Sequence, residues 1–425
     1  MPKSDRDHWV DLSGRRCNHG GSNMTVYDSL GVRTIINAKG PATRLSGGIM
    51  HPEVAAAMVE ASQACVDIAE LQAAASGVIA DITGTEAGYV ASGAAACLLL
   101  ATAACVTGLD PGKMARLPDA TGMKDEVVMV RSQRNMYDHA VRTAGVKIVE
   151  VGLPDRYAGA GVRDTEDWEI EEAITERTAA VFFVADSAAK PSLLEVARAA
   201  HAHGVPVIVD AAAQLPPQGN LKRFIAEGAD LVAFSGGKAI GGPQASGFLC
   251  GKRDLVMAAA LQHLDLDLYW DMWMPPVELI DKSRLKGIPQ HGVGRTCKAG
   301  KEEIVGVLTA LRLFLAEGDA ARHARWLGAL KAIADGIRGI KGMDVALEGA
   351  REISQVPILT LSLDPAFYRA HGLINDLAYG NPSVHVDSFQ RDMNRIVINA
   401  MCLKPEEPAL VASAIREAAE KARPS

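Results

Sequence analysis

The stretch that decides the fold is Ala179–Asp210, AAVFFVADSAAKPSLLEVARAAHAHGVPVIVD. It begins with the apolar, strand-forming run Ala179–Val184 and closes with a second such run, Val205–Val209. Between them Ser192 begins an S-x-x-E capping box, which predicts the first turn of a helix, and Gly204 stands where that helix should end. This order of strand, helix and strand predicts parallel strands, and therefore a sheet that helices cover on both faces.

The same rhythm continues on both sides of this unit. Other short runs are apolar and bounded by Gly, Pro, Asp or Ser, so they also predict strands. These runs are Val127–Val130, Val146–Val151, Leu231–Phe234 and Gly247–Cys250. Helical stretches fill most of the gaps between them, which is the pattern of an α/β protein with a doubly wound, mainly parallel sheet.

A change of pattern near Leu285 indicates a second domain. A helix with one apolar stripe opens at Lys301. Later elements are the strand-like runs Pro357–Leu363 and Arg395–Asn399 and a helix near Pro408–Ala422. We therefore predict an N-terminal arm at residues 1–45, a large domain at 46–285 and a smaller C-terminal α+β domain at 286–425.

The composition is that of a globular protein without a nucleic-acid surface. The chain has 425 residues, of which 48% are hydrophobic and 22% are charged, close to the globular average. Lys and Arg number 44 against 51 Asp and Glu, which gives a net charge of −7. Because surfaces that bind nucleic acids are basic, we expect no nucleic-acid partner.

The sequence favours neither a metal site, a disulfide framework nor a membrane span. The seven cysteines are scattered without a C-x-x-C, which favours a reducing, cytoplasmic environment. His201 and His203 lie two apart on a predicted helix and do not share a face, so they are a poor metal pair. Ala87–Leu109 carries no charge but is only weakly apolar, so it predicts a buried helix of a soluble enzyme.

A carboxylate, a lysine and a turn of small residues could carry chemistry. Strand Val205–Val209 ends in Asp210, and parallel α/β sheets bind ligands at the carboxyl ends of their strands. Lys238 follows another apolar strand within Ser235-Gly-Gly-Lys-Ala-Ile-Gly-Gly-Pro, where glycines would let the backbone approach a flat or phosphorylated ligand. Ser92-Gly93-Ala94 precedes a long apolar helix, whose first N–H groups could hold a phosphate. Taken alone, each has a simpler interpretation: a helix cap, a solvated loop, or close helix–sheet packing.

Together the three features fit one cofactor, pyridoxal 5′-phosphate. Its aldehyde needs an amine to hold it, its pyridine nitrogen needs a carboxylate to stay protonated, and its phosphate needs a helix terminus. Lys238, Asp210 and Ser92–Ala94 would supply these groups, in the chain order phosphate turn, carboxylate, lysine. The sequence therefore predicts a pyridoxal-phosphate enzyme with Lys238 as its catalytic residue.

Four longer segments carry a family resemblance. They are Ile35-Ile-Asn-Ala-Lys-Gly, Arg134-Asn-Met-Tyr-Asp-His-Ala-Val-Arg, Ser235-Gly-Gly-Lys-Ala-Ile-Gly-Gly-Pro-Gln-Ala-Ser-Gly and Gly294-Arg-Thr-Cys-Lys-Ala-Gly-Lys-Glu-Glu-Ile-Val-Gly. With them, over about residues 27 to 410, the chain resembles the selenocysteine synthase-like group of fold type I pyridoxal-phosphate enzymes, and within it the D-glucosaminate-6-phosphate ammonia-lyase type. The resemblance implies a fold type I, transferase-like large domain, a small C-terminal domain, and at least a dimer.

The resemblance also implies further cofactor contacts from the loops after neighbouring strands. His139 follows strand Val127–Val130 and could stack on the cofactor ring, with a surface histidine as the alternative. Asp186 follows strand Ala179–Val184 and could contact the cofactor's 3′-oxygen, and Ser235 could join the phosphate shell.

Assembly and substrate binding complete what the resemblance implies. The loop with Gly294 and Arg295 is expected to reach a neighbour's cofactor phosphate, so we expect a homodimer or higher homo-oligomer with shared active sites. Arg395 could bind a substrate carboxylate, with a surface salt bridge as the alternative, and Arg44 is a further candidate for substrate binding.

The expected function is a cytoplasmic lyase. Lys238 would take the Cα proton of a small-molecule amino acid or amino-sugar acid, and loss of a β-hydroxyl would give a 2-oxo acid and ammonia. Racemisation or epimerisation and aldol cleavage of a β-hydroxy amino acid remain alternatives. A non-catalytic protein of the same fold is a further alternative, against which the intact Lys238–Asp210 pair argues.

Overall fold

The structure, a computed structural model, describes residues 25–153 and 163–421 of the chain. These residues fall into two compact units. The larger consists of Pro41–Arg325 and Arg351–Val356, and the other contains residues 25–40, Trp326–Ala350 and residues 357–421. Residues 1–24 of the predicted arm lie outside the described residues, and the predicted domain boundaries at residues 45 and 285 stay a prediction.

Strands and helices alternate along most of the described chain, across both units. The strands are β1 (Ile36–Ala38), β2 (Ala87–Ala91), β3 (Glu126–Val130), β4 (Lys147–Val151), β5 (Thr178–Val184), β6 (Val207–Asp210), β7 (Leu231–Ser235), β8 (Gly247–Gly251), β9 (Met343–Glu348), β10 (Ile358–Leu363), β11 (Val384–Val386) and β12 (Arg395–Asn399). The α-helices are α1 (Val26–Ser29), α2 (Pro52–Ser62), α3 (Ile68–Thr83), α4 (Ala94–Thr107), α5 (Pro111–Arg116), α6 (Asp138–Thr143), α7 (Asp167–Ala173), α8 (Leu193–Ala202), α9 (Asn220–Ala226), α10 (Arg253–His263), α11 (Lys301–Gly336), α12 (Ala370–Tyr379) and α13 (Glu407–Lys421). α11 is interrupted at Gly318, whose φ of 73° lies outside the helical range.

The larger unit is built on one sheet, whose described strands are ordered β2-β8-β7-β6-β5-β3-β4. The pairs β7–β6, β6–β5, β5–β3 and β3–β4 are parallel, whereas β8 runs antiparallel to both β2 and β7. Because side chains alternate along a strand, Val127 and Met129 pack with α4 and α10, while Val128 and Val130 pack with α3 and α8. Helices cover both faces, and the predicted mainly parallel α/β fold is confirmed.

The quoted stretch Ala179–Asp210 folds as its pattern predicts, as β5, α8 and β6. The Ser192 hydroxyl accepts a hydrogen bond from the Glu195 amide, and the Glu195 carboxylate accepts one from the Ser192 amide, which completes the capping box. Gly204 follows the helix with a φ of 66°, a conformation that glycine adopts without strain. The capping box at Ser192 and the glycine Gly204 therefore define where α8 begins and ends, and β6 follows shortly after.

The prediction of a buried helix over Ala87–Leu109 is wrong for its first residues. Ala87–Ala91 forms the buried strand β2, and α4 begins only at Ala94. Small residues hide this strand in the sequence because it packs very closely on α3: a Cβ on Gly88 would lie 2.5 Å from the Cβ of Ile79. Over residues 25–153 and 163–421, no helix is both long and apolar enough to cross a membrane.

The other unit contains an antiparallel sheet of its own. β10 pairs with β9 and β12 in antiparallel fashion, and β1 pairs in parallel with β11. β10 and β12 coincide with the predicted strand-like runs, which confirms a smaller C-terminal region of α+β type. β1 and β11 have three residues each and were not predicted, since so short a run shows no alternation.

Candidate active site

One edge of the large sheet gathers the loops that carry the predicted residues. Gly247 of β8 pairs with Ala91 of β2 on one side and with Ser235 of β7 on the other. Asp210 ends β6 in register with Val184 of β5. Because β8 alone among these strands runs in the opposite direction, its first residue lies at the edge where the others end. The loops therefore leave the sheet side by side, where α/β sheets bind ligands.

Asp210 places a carboxylate in a largely buried position at this edge. Its Oδ1 accepts a hydrogen bond from the Ala212 amide at 3.0 Å. Burial raises the pKa of the Asp210 carboxyl, and this effect exceeds the lowering by the Ala212 hydrogen bond and by the charge of Lys238. A carboxylate in this setting favours a cationic partner, which offsets the cost of burying its charge.

Lys238 lies in a loop that the protein itself closes. The Gly236 amide donates a hydrogen bond to the Ser246 carbonyl oxygen at 2.9 Å. A Cβ on Gly237 would lie 2.7 Å from the Cα of Gln244, so no larger residue fits there. The glycine at this position therefore serves close packing within the chain, rather than the approach of a ligand that the sequence suggests.

Lys238 and Asp210 interact electrostatically across this edge. Burial is the larger effect on each group, and it lowers the pKa of the Lys238 amine as it raises that of the Asp210 carboxyl. Each group's charge opposes this effect on its partner. Burial thus favours a neutral amine, which is the form that attacks an aldehyde or accepts a proton.

The turn Ser92-Gly93-Ala94 leads from β2 into α4, and β8 separates it from the strand that carries Ser235. Gly93 precedes the helix with a φ of 124°, and no side chain among the described residues caps α4. Since the first amides of a helix have no acceptor within it, Ala94 begins a short row of available donors. A Cβ on Gly247 would lie 2.6 Å from the Gly93 carbonyl carbon, so β8 lies directly against the turn. The turn is suited to bind an anion.

Three other predicted cofactor contacts lie at this edge or beyond it. Asp186 follows β5, is exposed, and accepts a hydrogen bond from the Ala188 amide at 2.9 Å. His139 is exposed on α6, and its Nδ1 lies 3.0 Å from the Arg142 guanidinium. Ser235 is half-buried at the end of β7. Their roles toward a cofactor stay predictions.

The predicted substrate arginines belong to different units. Arg44 is exposed in the short 3-10 turn Thr43–Leu45 of the larger unit. The lysine loop contacts this turn, since Gln244 Nε2 donates to Thr43 Oγ1 at 3.0 Å. Arg395 begins β12 in the other unit and is exposed. The structure therefore brings the Arg44 turn beside the lysine loop, and the role of Arg395 stays a prediction.

The loop that we predict to reach the cofactor phosphate of a neighbouring subunit forms the 3-10 turn Val293–Cys297. Gly294 is buried, and the half-buried Arg295 pairs with Asp265 at 2.8 Å. The guanidinium is thus held on the surface of the larger unit by a carboxylate of its own chain. Whether it serves a partner's cofactor stays a prediction.

Gln133 is a candidate site residue that the sequence analysis missed. It follows β3, and its Oε1 accepts a hydrogen bond from the Val184 amide at 3.0 Å. Its buried Nε2 has no hydrogen-bond partner among the described residues. Gln133 lines a cavity of about 450 Å³ together with Asp186. An unpaired buried donor at this edge is a candidate ligand contact, and no motif or period marks it in the sequence.

Comparison with known proteins gives the family of the chain. The family described as L-seryl-tRNA selenium transferase (SelA) matches residues 50–271. A 5′-C-glycyluridine monooxygenase-decarboxylase of Streptomyces sp is 31% identical over 93% of this chain and 92% of its own. The chain belongs to the L-seryl-tRNA selenium transferase family.

Similarity to other proteins related to the selenium transferase family extends along the chain. A D-glucosaminate-6-phosphate ammonia lyase of Salmonella typhimurium is 29% identical over 93% of this chain and 98% of its own. The solved structure of a D-glucosaminate-6-phosphate ammonia-lyase is 27% identical, with a TM-score of 0.76, over 94% of this chain and all of that one. The resemblance inferred from the motifs and the fold type I architecture are both confirmed.

Proposed function

We propose that the protein is a pyridoxal-phosphate-dependent lyase acting on an amino acid or amino-sugar acid. The reaction removes the Cα proton, eliminates a β-hydroxyl and releases a 2-oxo acid and ammonia. The observation that carries this proposal is the Lys238–Asp210 pair at the carboxyl edge of the sheet. Support also comes from a relative named D-glucosaminate-6-phosphate ammonia lyase, whose substrate is the first to test.

The groups at this edge match what the cofactor requires. A protonated pyridine nitrogen would give the buried Asp210 carboxylate its cationic partner, and the Lys238 amine would hold the aldehyde. The turn Ser92–Ala94, through the Ala94 amide and those that follow it, would bind the phosphate together with Ser235. Further contacts would come from Asp186, His139 and Gln133. Bound there, pyridoxal phosphate would supply a sink for the electron pair left when the Cα–H bond breaks.

Lys238 is the group that moves protons. Burial lowers the pKa of its amine, which increases the neutral fraction able to accept the Cα proton. The resulting ammonium can return a proton to the departing β-hydroxyl, which leaves as water. Hydrolysis of the remaining unsaturated amine then yields ammonia and the 2-oxo acid.

The same cofactor would allow other outcomes. Racemisation also begins with loss of the Cα proton, whereas aldol cleavage breaks the Cα–Cβ bond and decarboxylation breaks the bond from Cα to the carboxyl group. The relative at 31% identity is named a monooxygenase-decarboxylase, so oxidative loss of a carboxyl group is a second candidate. Racemisation and aldol cleavage are the alternatives left open by the sequence. These outcomes differ in products, which makes them separable in one assay.

The test incubates purified protein and pyridoxal phosphate with D- and L-amino acids and amino-sugar acids, including D-glucosaminate 6-phosphate. Ammonia, 2-oxo acid, inverted isomer, aldehyde, carbon dioxide and oxygen uptake are measured together. Equimolar ammonia and 2-oxo acid, lost in Lys238→Ala, are expected. Oxygen uptake with release of carbon dioxide would support the second candidate, and failure to bind pyridoxal phosphate would overturn both.

Assembly and location extend this proposal. We expect a homodimer or higher homo-oligomer in which Arg295 contributes to the neighbour's site. We also expect a cytoplasmic location without a nucleic-acid partner, in keeping with the net charge of −7.

A further inference from the structure

The last two residues of α10 form hydrogen bonds with the first and the last residue of the turn Val293–Cys297. Gln262 and His263 face this turn and are 0% and 3% exposed. The Val293 amide donates a hydrogen bond to Gln262 Oε1 at 3.1 Å, and His263 Nε2 lies 2.8 Å from the Cys297 carbonyl oxygen. Neighbouring side chains of one helix therefore bind the first and last residues of the turn.

The backbone at the start of this turn packs on α10 without room for side chains. A Cβ on Gly292 would lie 2.5 Å from the Cα of Gln262, and one on Gly294 would lie 3.0 Å from the Gln262 carbonyl oxygen. Such close packing resists displacement. The hydrogen bonds of Gln262 and His263 thus act on a segment that has little room to shift.

The hydrogen-bond partners of His263 define its protons. A carbonyl oxygen only accepts, so the Nε2 that faces Cys297 carries the hydrogen. Nδ1 then accepts from the Tyr89 hydroxyl, which lies 2.8 Å away. Burial lowers the pKa of the His263 imidazole, and the charge of Arg295 lowers it further, against the Cys297 hydrogen bond that raises it. The imidazole is therefore a neutral bridge with both nitrogens in use.

This bridge leads to the turn proposed to bind phosphate. The Cys297 carbonyl oxygen that His263 holds also accepts a hydrogen bond from the Ser92 amide, at 3.4 Å. Tyr89, the second partner of His263, lies on β2 in the segment that runs into Ser92. The 3.4 Å bond is too long to hold the turn strongly by itself, so the position of the Cys297 carbonyl matters.

We propose that His263 is a positioning residue for the cofactor phosphate, because its imidazole fixes the Cys297 carbonyl and Tyr89 and, through them, the turn Ser92–Ala94, whose Ala94 amide begins the row of available donors. This inference rests on the proposed function, in which those donors bind pyridoxal phosphate. The competing explanation is a histidine that only stabilises the core. A core residue would affect ligands with and without a phosphate alike, whereas a positioning residue would affect only the phosphorylated one.

The test therefore compares dissociation constants for pyridoxal phosphate and for pyridoxal, which lacks the phosphate. Both are measured by absorbance titration of the full-length protein freed of cofactor, and thermal unfolding checks the fold. The variants are His263→Asn, whose amide reaches only as far as Nδ1, and His263→Gln, whose amide nitrogen can reach the position of Nε2. His323→Asn is the matched control, since His323 is also buried, with 6% exposure, but lies on α11.

His263→Asn should weaken binding of pyridoxal phosphate roughly tenfold and that of pyridoxal by less than about twofold, as expected for lost hydrogen bonds to one ligand group. His263→Gln should restore most of the preference, and His323→Asn should leave it unchanged. Equal weakening of both ligands, or an unchanged preference in His263→Asn, would overturn the inference.

Two further outcomes are distinguishable. If the wild-type protein shows no preference for pyridoxal phosphate over pyridoxal, the proposed phosphate site fails and not the role of His263 alone. If His263→Asn does not fold, Tyr89→Phe takes its place, because it removes the hydroxyl that orients the imidazole and leaves the histidine in position. Tyr89→Phe should reduce the preference a few-fold, and no reduction would overturn the inference.

Discussion

Glycine is required in both the lysine loop and the phosphate turn, but for opposite physical reasons. A Cβ on Gly237 of the lysine loop would lie 2.7 Å from the backbone of Gln244. A Cβ on Gly93 of the phosphate turn would meet nothing within 4 Å, yet its φ of 124° is one that side chains rarely adopt. Crowding demands the first glycine and backbone direction demands the second.

This difference distinguishes two parts of the site. The lysine loop is complete, because its own hydrogen bonds and packing hold it, and the phosphate turn is open, because it has donors left for a ligand. The lysine loop closes on itself through the Gly236–Ser246 hydrogen bond at 2.9 Å, so the position of Lys238 depends on the protein alone. The turn before α4 has no side-chain cap among the described residues, so the helix amides that begin at Ala94 are left for another acceptor. Changes in the loop should therefore disturb the amine, and changes in the turn should disturb binding of an anion.

Removal of the amine should have the largest effect. Lys238→Ala should reduce activity about 10³-fold or more, because the variant loses both the attachment point and the proton acceptor. Borohydride reduction should attach the cofactor to Lys238 of the wild-type protein, as judged by mass mapping of peptides. Lys252→Ala is the control and should stay active, since Lys252 follows β8 and its exposed side chain pairs with Asp230. A label on any other lysine would contradict the assignment.

Asp210→Asn should reduce activity about a hundredfold while the fold is kept, because the ring nitrogen loses its counter-charge. The same substitution should increase the stability of the cofactor-free protein. Burial raises the pKa of the Asp210 carboxyl above 3.8, so the cofactor-free fold favours the protonated form and loses stability as the pH rises through the raised pKa.

The Asp210→Asn variant has no carboxyl group to ionise, so it does not lose stability in this way as the pH rises. Cofactor-free Asp210→Asn should therefore unfold at a higher temperature than the wild type near pH 7, and the difference should shrink towards about pH 4. Calorimetry at the two pH values measures this. A cofactor-free wild type that is the more stable protein near pH 7 would show that Asp210 has a compensating partner.

A paired substitution tests the comparison of the two glycines directly. Gly237→Ala should destabilise the fold by about 1–3 kcal/mol through overpacking, and should weaken pyridoxal and pyridoxal phosphate alike. Gly93→Ala should cost about 1–2 kcal/mol through its backbone conformation, and should weaken pyridoxal phosphate selectively. Urea unfolding and ligand titration measure the two effects. Identical ligand preferences in both variants would remove the distinction between a complete and an open part.

Arg295→Ala should have a smaller effect, a roughly tenfold loss of cofactor affinity, since it removes one charge-assisted phosphate contact. If sites are shared, a mixture with Lys238→Ala should form hybrid dimers with one intact site. Random exchange in equal amounts should then restore about a quarter of wild-type activity, at a limited cofactor concentration that leaves the Arg295→Ala sites mostly empty. Exchange without recovery of activity would show that Arg295 acts within its own subunit.

The smallest effect is expected far from the site. Ser192→Ala removes the side-chain cap of α8 and should cost about 1 kcal/mol of unfolding free energy, measured by urea unfolding. Because α8 only connects β5 to β6, cofactor affinity should stay at the wild-type value. A loss of cofactor affinity in Ser192→Ala would mean that the start of α8 influences the position of the residues at the carboxyl edge of the sheet.

The sequence predicts the large sheet well where local signals are strong. β5 and β6 are β-branched or aromatic and flanked by caps, so their existence follows from pattern alone. β2 was missed because close packing on α3 selects small residues such as Gly88, and these erase the alternation that defines a strand. In β2, the close packing that holds the strand against α3 therefore also removes the sequence pattern by which a strand is predicted.

The candidate site divides in the same way. Asp210 and Lys238 can be predicted because each follows a recognisable strand. His263 and Gln133 cannot, since their importance depends on partners 34 and 51 residues away, Cys297 and Val184. Even for the lysine loop, the sequence shows a cluster of glycines but not that the backbone of Gln244 leaves no room for a Cβ at Gly237.

The single antiparallel strand of the large sheet has a consequence for ligand size. β8 lies between β2 and β7, so two strand spacings of about 4.8 Å, roughly 10 Å in all, separate the phosphate turn from the lysine loop. Gly247 keeps α4 close, since a Cβ there would lie 2.7 Å from the Ala94 nitrogen. The backbone hydrogen-bond spacing thereby fixes the distance between the two places, and a molecule that binds at both must be long enough to span it.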